Sequence, residues 1–270
     1  MNNVAEALII AGSDSGGGAG VQADIKTMQA CGVYSTNVIV AITAQNTLGV
    51  QDSLNIPVSL INAQFSSIFA DFNIKAAKTG MLADRVSLTC VVENIIKFKI
   101  NRLVVDPVMV AKGGAKLLND DAIVTLKKQL LPLALITTPN LPEAQVIVGH
   151  KISNQNDIMQ AAKKIQAMGS KNVIIKGGHD DKKRVRDFVL LENQKQFFLE
   201  SERIETNRTH GTGDTLSSAI TSALAKGHSV EEAIRFGRKV VTKTIEFGII
   251  VGHGHGPLNH WAAEEFRDEI

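Results

Sequence analysis

The chain has 270 residues, 44% of them hydrophobic and 21% charged, which excludes a disordered chain or a fibrous repeat and gives length enough for one large α/β domain or two small ones. With 29 basic against 27 acidic residues the formal net charge is +2, too even a balance to indicate a nucleic-acid or membrane partner. Its two cysteines, Cys31 and Cys90, have no Cys-x-x-Cys or Cys/His spacing for zinc and suit a reducing, cytoplasmic setting.

In chain order, the first apolar run, EALIIAG (6–12), reads as a strand, cut by glycine and serine too soon for a signal segment or a span. The glycine-rich GSDSGGGAG follows and leads into a helix over 19–31. A second strand, 35–43, ends in AQN, and helix 58–71 connects it to strand 75–80, which ends in GML. Helix 84–98 precedes strand 102–108, whose end carries DPVMVAKGG, and helix 120–131 leads to strand 134–139 and PNLPE. Helices 142–148 and 154–168 and strand 171–178, ending in KGGH, come next. The basic stretch DDKKRVRD is interleaved with acids and reads as a solvated loop and strand edge. VRDFVLL, a polar ENQK turn and QFFLES form a hairpin on the sheet edge over 185–204. HGTGD then opens helix 213–226, followed by helix 230–247. Strands alternating with amphipathic helices predict a mainly parallel sheet, and no linker divides it, so one domain is expected over 1–270.

In such a sheet ligands bind outside the carboxyl ends of the strands, and here most glycine-rich and polar strand ends converge on that rim. Glycine turns at helix N-termini cradle phosphate, which points to Gly16–Gly20 and Gly211–Gly213. A Walker A loop is excluded because Gly-Lys occurs nowhere. A dinucleotide fingerprint at GAGVQA lacks its acidic partner, since the second strand ends in Gln45 and Asn46. Phosphoryl transfer fits the rim. Asp106 and Glu143 are placed to hold Mg²⁺, Lys176 to meet a phosphate, and Asp214 to accept a hydroxyl proton beside the N–H groups of Gly211, Thr212 and Gly213. Singly, each has a plainer explanation: Asp214 as a helix cap, Asp106 as a strand end, Glu143 as a first-turn acid, Lys176 as a surface residue.

IIAGSDSGGGAGVQADIKT, AITAQNTLGV, KTGML, VVDPVMV, TPNLPEA, KGGH and HGTGDTLSSAI occur in this order over residues 7–250. In this the chain resembles the hydroxymethylpyrimidine/phosphomethylpyrimidine kinases of the ribokinase superfamily. The resemblance implies a ribokinase-like three-layer α/β/α sandwich, mainly parallel with an antiparallel edge hairpin. It also implies an ATP- and Mg²⁺-dependent enzyme of thiamine biosynthesis, a homodimer, acting on a small pyrimidine. Carried over, Gly12, Asp24 and Gln45 would line the pyrimidine site, with Met81 and Val108 as apolar wall. Asp106 and Glu143 would organise the metal, and Asn140, of the Asn-x-x-Glu pattern, would sit with Lys176 at the nucleotide. MVAKGGAKL (109–117) looks like a flap over the substrate.

The family usually carries cysteine where this chain has Asp214, and vitamin B6 kinases of the wider superfamily carry aspartate, so B6 phosphorylation is the alternative. Two further readings are a non-catalytic pyrimidine sensor and a metal-dependent hydrolase built on HGHG (His253, His255), although that segment is more simply a turn near the nucleotide base.

Overall fold

Along the first strand Ala7, Ile9 and Ala11 belong to one core and Leu8 and Ile10 to another, all fully buried, so both faces of the sheet must be covered. The computed structural model describes residues 4–109, 118–178 and 183–270. Its sheet comprises β1 (Glu6–Asp14), β2 (Tyr34–Asn46), β3 (Gly49–Asn55), β4 (Ala76–Thr79), β5 (Leu103–Val105), β6 (Ile136–Thr137), β7 (Asn172–Ile175), β8 (Arg184–Leu190) and β9 (Gln196–Glu202). The spatial order is β3-β2-β1-β4-β5-β6-β7-β8-β9, parallel from β2 to β7 and antiparallel at β3, β8 and β9.

Helices α2 (Val58–Asp71), α3 (Arg85–Lys97), α5 (Leu141–Val148) and α6 (Gln155–Ala167) share a core with Leu8 and Ile10. On the opposite face lie α1 (Gly20–Ala30), α7 (Thr212–Ala225), α8 (Val230–Glu246) and a 3-10 helix, His260–Phe266. This is the expected three-layer sandwich with its edge hairpin. The other edge differs from expectation. β3 pairs antiparallel with β2, and nothing in GVQDSLN marks it, because Gln51 to Asn55 are all exposed and show no apolar alternation. The helix expected over 120–131 is also modified: α4 (Asp120–Thr125) widens into a π turn, Leu126–Leu130, and closes in a 3-10 turn, Leu131–Leu133. Pro132 explains this, having no N–H to donate and a ring that crowds the carbonyl four residues back.

Helix α7 is buried along its length from Thr215 to Ala225. Its hydroxyls are tolerated because each has a partner. Ser217 donates to the Gly213 carbonyl, Thr221 to Ser217, Ser222 to Ser218, and Ser218 to Asp24 on α1. The chain runs outward from β1 through β2 to β3, then returns to β1's other side at β4. That reversal is the point where an open α/β sheet leaves a crevice at the carboxyl ends of its strands.

Candidate active site

A crevice of about 750 Å³ opens at that rim. It is lined by Gly12, Gln45, Met81, Asp106, Val108, Asn140, Glu143, Lys176, Gly211, Thr212, Gly213 and Asp214. Residues far apart in the chain meet there because parallel strands all deliver their carboxyl ends to the same side. Asp106 leaves β5 with its N–H bonded to the Thr79 carbonyl, and its Oδ1 takes Lys176 Nζ at 2.7 Å and the Thr138 hydroxyl at 3.0 Å. Asn140 and Glu143 form a reciprocal capping box at the start of α5: Asn140 N–H donates to Glu143 Oε2 at 2.7 Å and Glu143 N–H to Asn140 Oδ1 at 2.9 Å. So Glu143 does serve a helix N-terminus, while its carboxylate lines the crevice. Burial pushes the Glu143 carboxyl up to about 7; Lys176 pulls it down and Asp106 adds to the rise.

Two glycines decide how closely α7 approaches. Gly211 has φ +82°, and a Cβ there would lie 2.0 Å from the Gly18 carbonyl oxygen. At Gly213 a Cβ would stand 2.9 Å from Asp106 Oδ2 and 3.3 Å from Lys176 Nζ. The helix N-terminus, with first-turn N–H groups that no preceding turn can satisfy, is thereby set against the Asp106–Lys176 pair. Asp214 lies in that first turn, yet its Oδ1 bonds Lys78 Nζ at 3.3 Å rather than capping the helix.

Two expectations need correction. Asp24 does not line the crevice: it is completely buried beneath it, its Oδ1 held by Lys78 Nζ at 2.7 Å and by the Ser218 hydroxyl at 2.6 Å. The turn Gly16–Gly20 is not an open anion cradle, because Asp14 already occupies it, accepting from the N–H groups of Gly16, Gly18 and Ala19 at 2.8, 3.1 and 2.9 Å. Burial alone would raise Asp14, but hydrogen bonds from His210, Gly16 and Ala19 outweigh it and hold the carboxyl below the usual range. The HGHG segment seats on Thr47 at the β2–β3 turn, where His255 N–H donates to the Thr47 carbonyl. The flap expected over 109–117 lies, beyond Met109, outside the described residues.

Several crevice residues escaped the sequence reading. His210 Nε2 sits 3.0 Å from Asp14 Oδ2 and 3.2 Å from Gln45 Nε2. A ring nitrogen that donates to Asp14 cannot also accept from Gln45, so the Gln45 amide keeps donor capacity for a ligand edge. Arg203, Ile204 and Thr206 after β9, and Arg238, Val241, Thr242 and Ile245 on α8, extend the crevice wall. Their only signal in the sequence was adjacency to the hairpin and to helix 230–247. Among the described residues no three His, Cys, Asp or Glu side chains converge as a metal cluster, and no helix is long and apolar enough to cross a membrane.

Residues 14–259 match the family described as phosphomethylpyrimidine kinase. The chain is 48% identical over 265 residues to the hydroxymethylpyrimidine/phosphomethylpyrimidine kinase of Haemophilus influenzae, covering 97% of this chain and 98% of that one. It superposes with a TM-score of 0.79 on the phosphomethylpyrimidine kinase of Clostridium difficile, at 42% identity over 89% of this chain and 99% of that one. Against an ADP complex of Bacillus subtilis pyridoxal kinase the TM-score is 0.89, at 37% identity over 96% and 98% of the two chains.

Proposed function

This chain belongs to the phosphomethylpyrimidine kinase family, and from that premise we propose that its crevice uses ATP to phosphorylate 4-amino-5-hydroxymethyl-2-methylpyrimidine on the hydroxymethyl oxygen. The same site then converts the monophosphate to the pyrophosphate, for thiamine biosynthesis. One observation carries the reading: a carboxylate, a helix N-terminus and an Asp–Lys pair border one crevice, the set that a phosphoryl transfer to a hydroxyl requires.

The pyrimidine lies against Gly12, Met81 and Val108, with Gln45 reading its aminopyrimidine edge. Asp214 accepts the hydroxyl proton, the N–H groups of Gly211, Thr212 and Gly213 take up the charge of the moving phosphoryl group, and Lys176 with Asn140 meets the nucleotide. Asp106 and Glu143 suit Mg²⁺, a hard cation that takes one or two carboxylates and keeps most of its waters. The cation would neutralise nucleotide phosphate oxygens, which are its chemical contribution to the transfer. We place this activity in a single domain over 1–270, in a cytoplasmic homodimer; sedimentation of the purified protein at the monomer mass would overturn the dimer.

Gln45→Ala is expected to weaken pyrimidine binding by about 1–3 kcal/mol, the worth of the lost edge hydrogen bonds, with kcat for the bound substrate little changed. Titration of the pyrimidine by calorimetry checks it, and an unchanged Kd removes Gln45 from the site.

The similarity to a pyridoxal kinase supports a second reading, since vitamin B6 compounds also offer a ring hydroxymethyl group. ADP release from MgATP with hydroxymethylpyrimidine, its monophosphate, pyridoxine and pyridoxal separates the two. Turnover of both pyrimidines supports the assignment; turnover of the B6 compounds alone overturns it. Binding of the pyrimidine without ADP release would favour the sensor.

A further inference from the structure

Beneath Asp214 stands a cation that the reaction above does not use. Lys78, in β4, is 0% exposed, and its Nζ bonds Asp24 Oδ1 at 2.7 Å and Asp214 Oδ1 at 3.3 Å. Asp24, from α1, is equally buried, and its Oδ2 has no hydrogen-bond partner among the described residues. Burying three charges is a poor way to stabilise a fold, because apolar residues of the same volume commonly do as well or better. Of the three, Asp214 alone reaches the crevice, its side chain 14% exposed.

We propose that Lys78 and Asp24 are positioning residues for Asp214: Lys78 anchors Oδ1 so that Oδ2 is presented to the accepting hydroxyl, and Asp24 shares the ammonium charge so that Asp214 keeps its affinity for a proton. This rests on the reading of Asp214 as the base. A carboxylate paired with a lysine of its own is a weak base, because the cation favours its charged form. With a second carboxylate on the same ammonium, the trio with both carboxyls ionised carries one net negative charge and has room for one proton. The groups facing it are Asp24 from α1, Asp214 from α7, Asp106 beyond β5, and Lys176 on the Asp214 side. Burial pushes the Asp24 carboxyl up to about 7 against the pull of Lys78, and Asp214 adds to the rise. Lys78 stays protonated, raised by Asp24 and Asp214 despite its burial. In the transfer the hydroxyl proton passes to Asp214 Oδ2 as the new oxygen–phosphorus bond forms. The bond from the γ-phosphorus to the bridging oxygen breaks, its electron pair leaves with ADP, and the trio becomes neutral until the proton returns to water.

The test is the pH profile of kcat/KM for the first phosphorylation in four proteins: wild type, Asp24→Asn, Lys78→Met and Asp214→Asn. Asp24→Asn leaves Lys78 wholly to Asp214, so the acid limb moves down by roughly one to three pH units; Lys78→Met moves it up by a similar amount. A purely structural role would lower the rate without moving the limb in opposite directions. If Lys78→Met fails to fold, the limb of the near-isosteric Asp24→Asn decides alone: a downward shift supports the proposal, and an unmoved or raised limb overturns it. Asp214→Asn keeps the two readings apart. An acid limb that persists there overturns Asp214 as the base, and the positioning role with it. A limb lost there but unmoved in Asp24→Asn overturns only the positioning role.

Discussion

Asp214→Asn lowers the first phosphorylation by roughly 10²–10⁴, the usual contribution of a positioned general base, and lowers the second far less. The two steps differ in their nucleophile. A hydroxymethyl oxygen must lose its proton as it attacks, whereas a phosphate monoester is already ionised at neutral pH and needs no base. Asp214 even disfavours the second acceptor, because a carboxylate in the crevice wall repels an incoming phosphate. The asparagine oxygen still accepts from Lys78, so the helix terminus and its first-turn N–H groups are expected to stay in place and ADP to bind with unchanged affinity. Separate rate measurements with the hydroxymethyl compound and with its monophosphate check this. Equal loss in both steps would make Asp214 part of the phosphate cradle, and no loss in the first would leave it only an acid in a helix's first turn.

What the sequence revealed and what it hid have the same cause. The rim is legible because parallel strands bring their ends to one side, so DPV, NLPE, KGG and HGTGD group together from the sequence alone. Helix α2 was expected over 58–71 and occupies Val58–Asp71, since its apolar spacing is read by one buried face. Strand β3 was invisible because it buries little and carries no alternation. Lys78 was hidden for a different reason: in KAAKTG it looks like a polar residue alternating outward. Yet β4 lies between two parallel neighbours with helices on both faces, where an outward position has no solvent to reach. A lysine in such a strand must have a carboxylate partner from a covering helix, and that signal was available. Asp24 came to the crevice only through the family resemblance, whereas helix α1 turns its carboxylate beneath the rim onto Lys78.

Lys78→Met is expected to cost about 3–5 kcal/mol of folding stability at pH 8, the effect of removing one partner from a buried charge cluster. The methionine nearly fills the lysine's volume, so the loss comes from leaving Asp24 and Asp214 without a counter-charge. The sign of its pH dependence follows from linkage. Burial pushes the Asp24 carboxyl up to about 7 from a reference value of 3.8, so between those values the folded state holds a proton that the unfolded chain has released. Stability from this group therefore falls as pH rises from about 4 to 7. Without the ammonium, whose pull lowers it, the Asp24 carboxyl holds its proton to higher pH, which extends the decline upward. Lys78 itself is charged in both states throughout this range and contributes no slope of its own. The deficit of Lys78→Met relative to wild type is thus smaller at pH 5 than at pH 8, as urea unfolding at the two values would read. Adding Asp24→Asn to the methionine variant removes one stranded carboxylate and recovers part of the loss at pH 8 but little at pH 5. A deficit of about 1 kcal/mol or less, the same at both pH values, would reduce the trio to the worth of a solvent-screened ion pair. It would leave the burial of three charges beneath Asp214 without an energetic consequence.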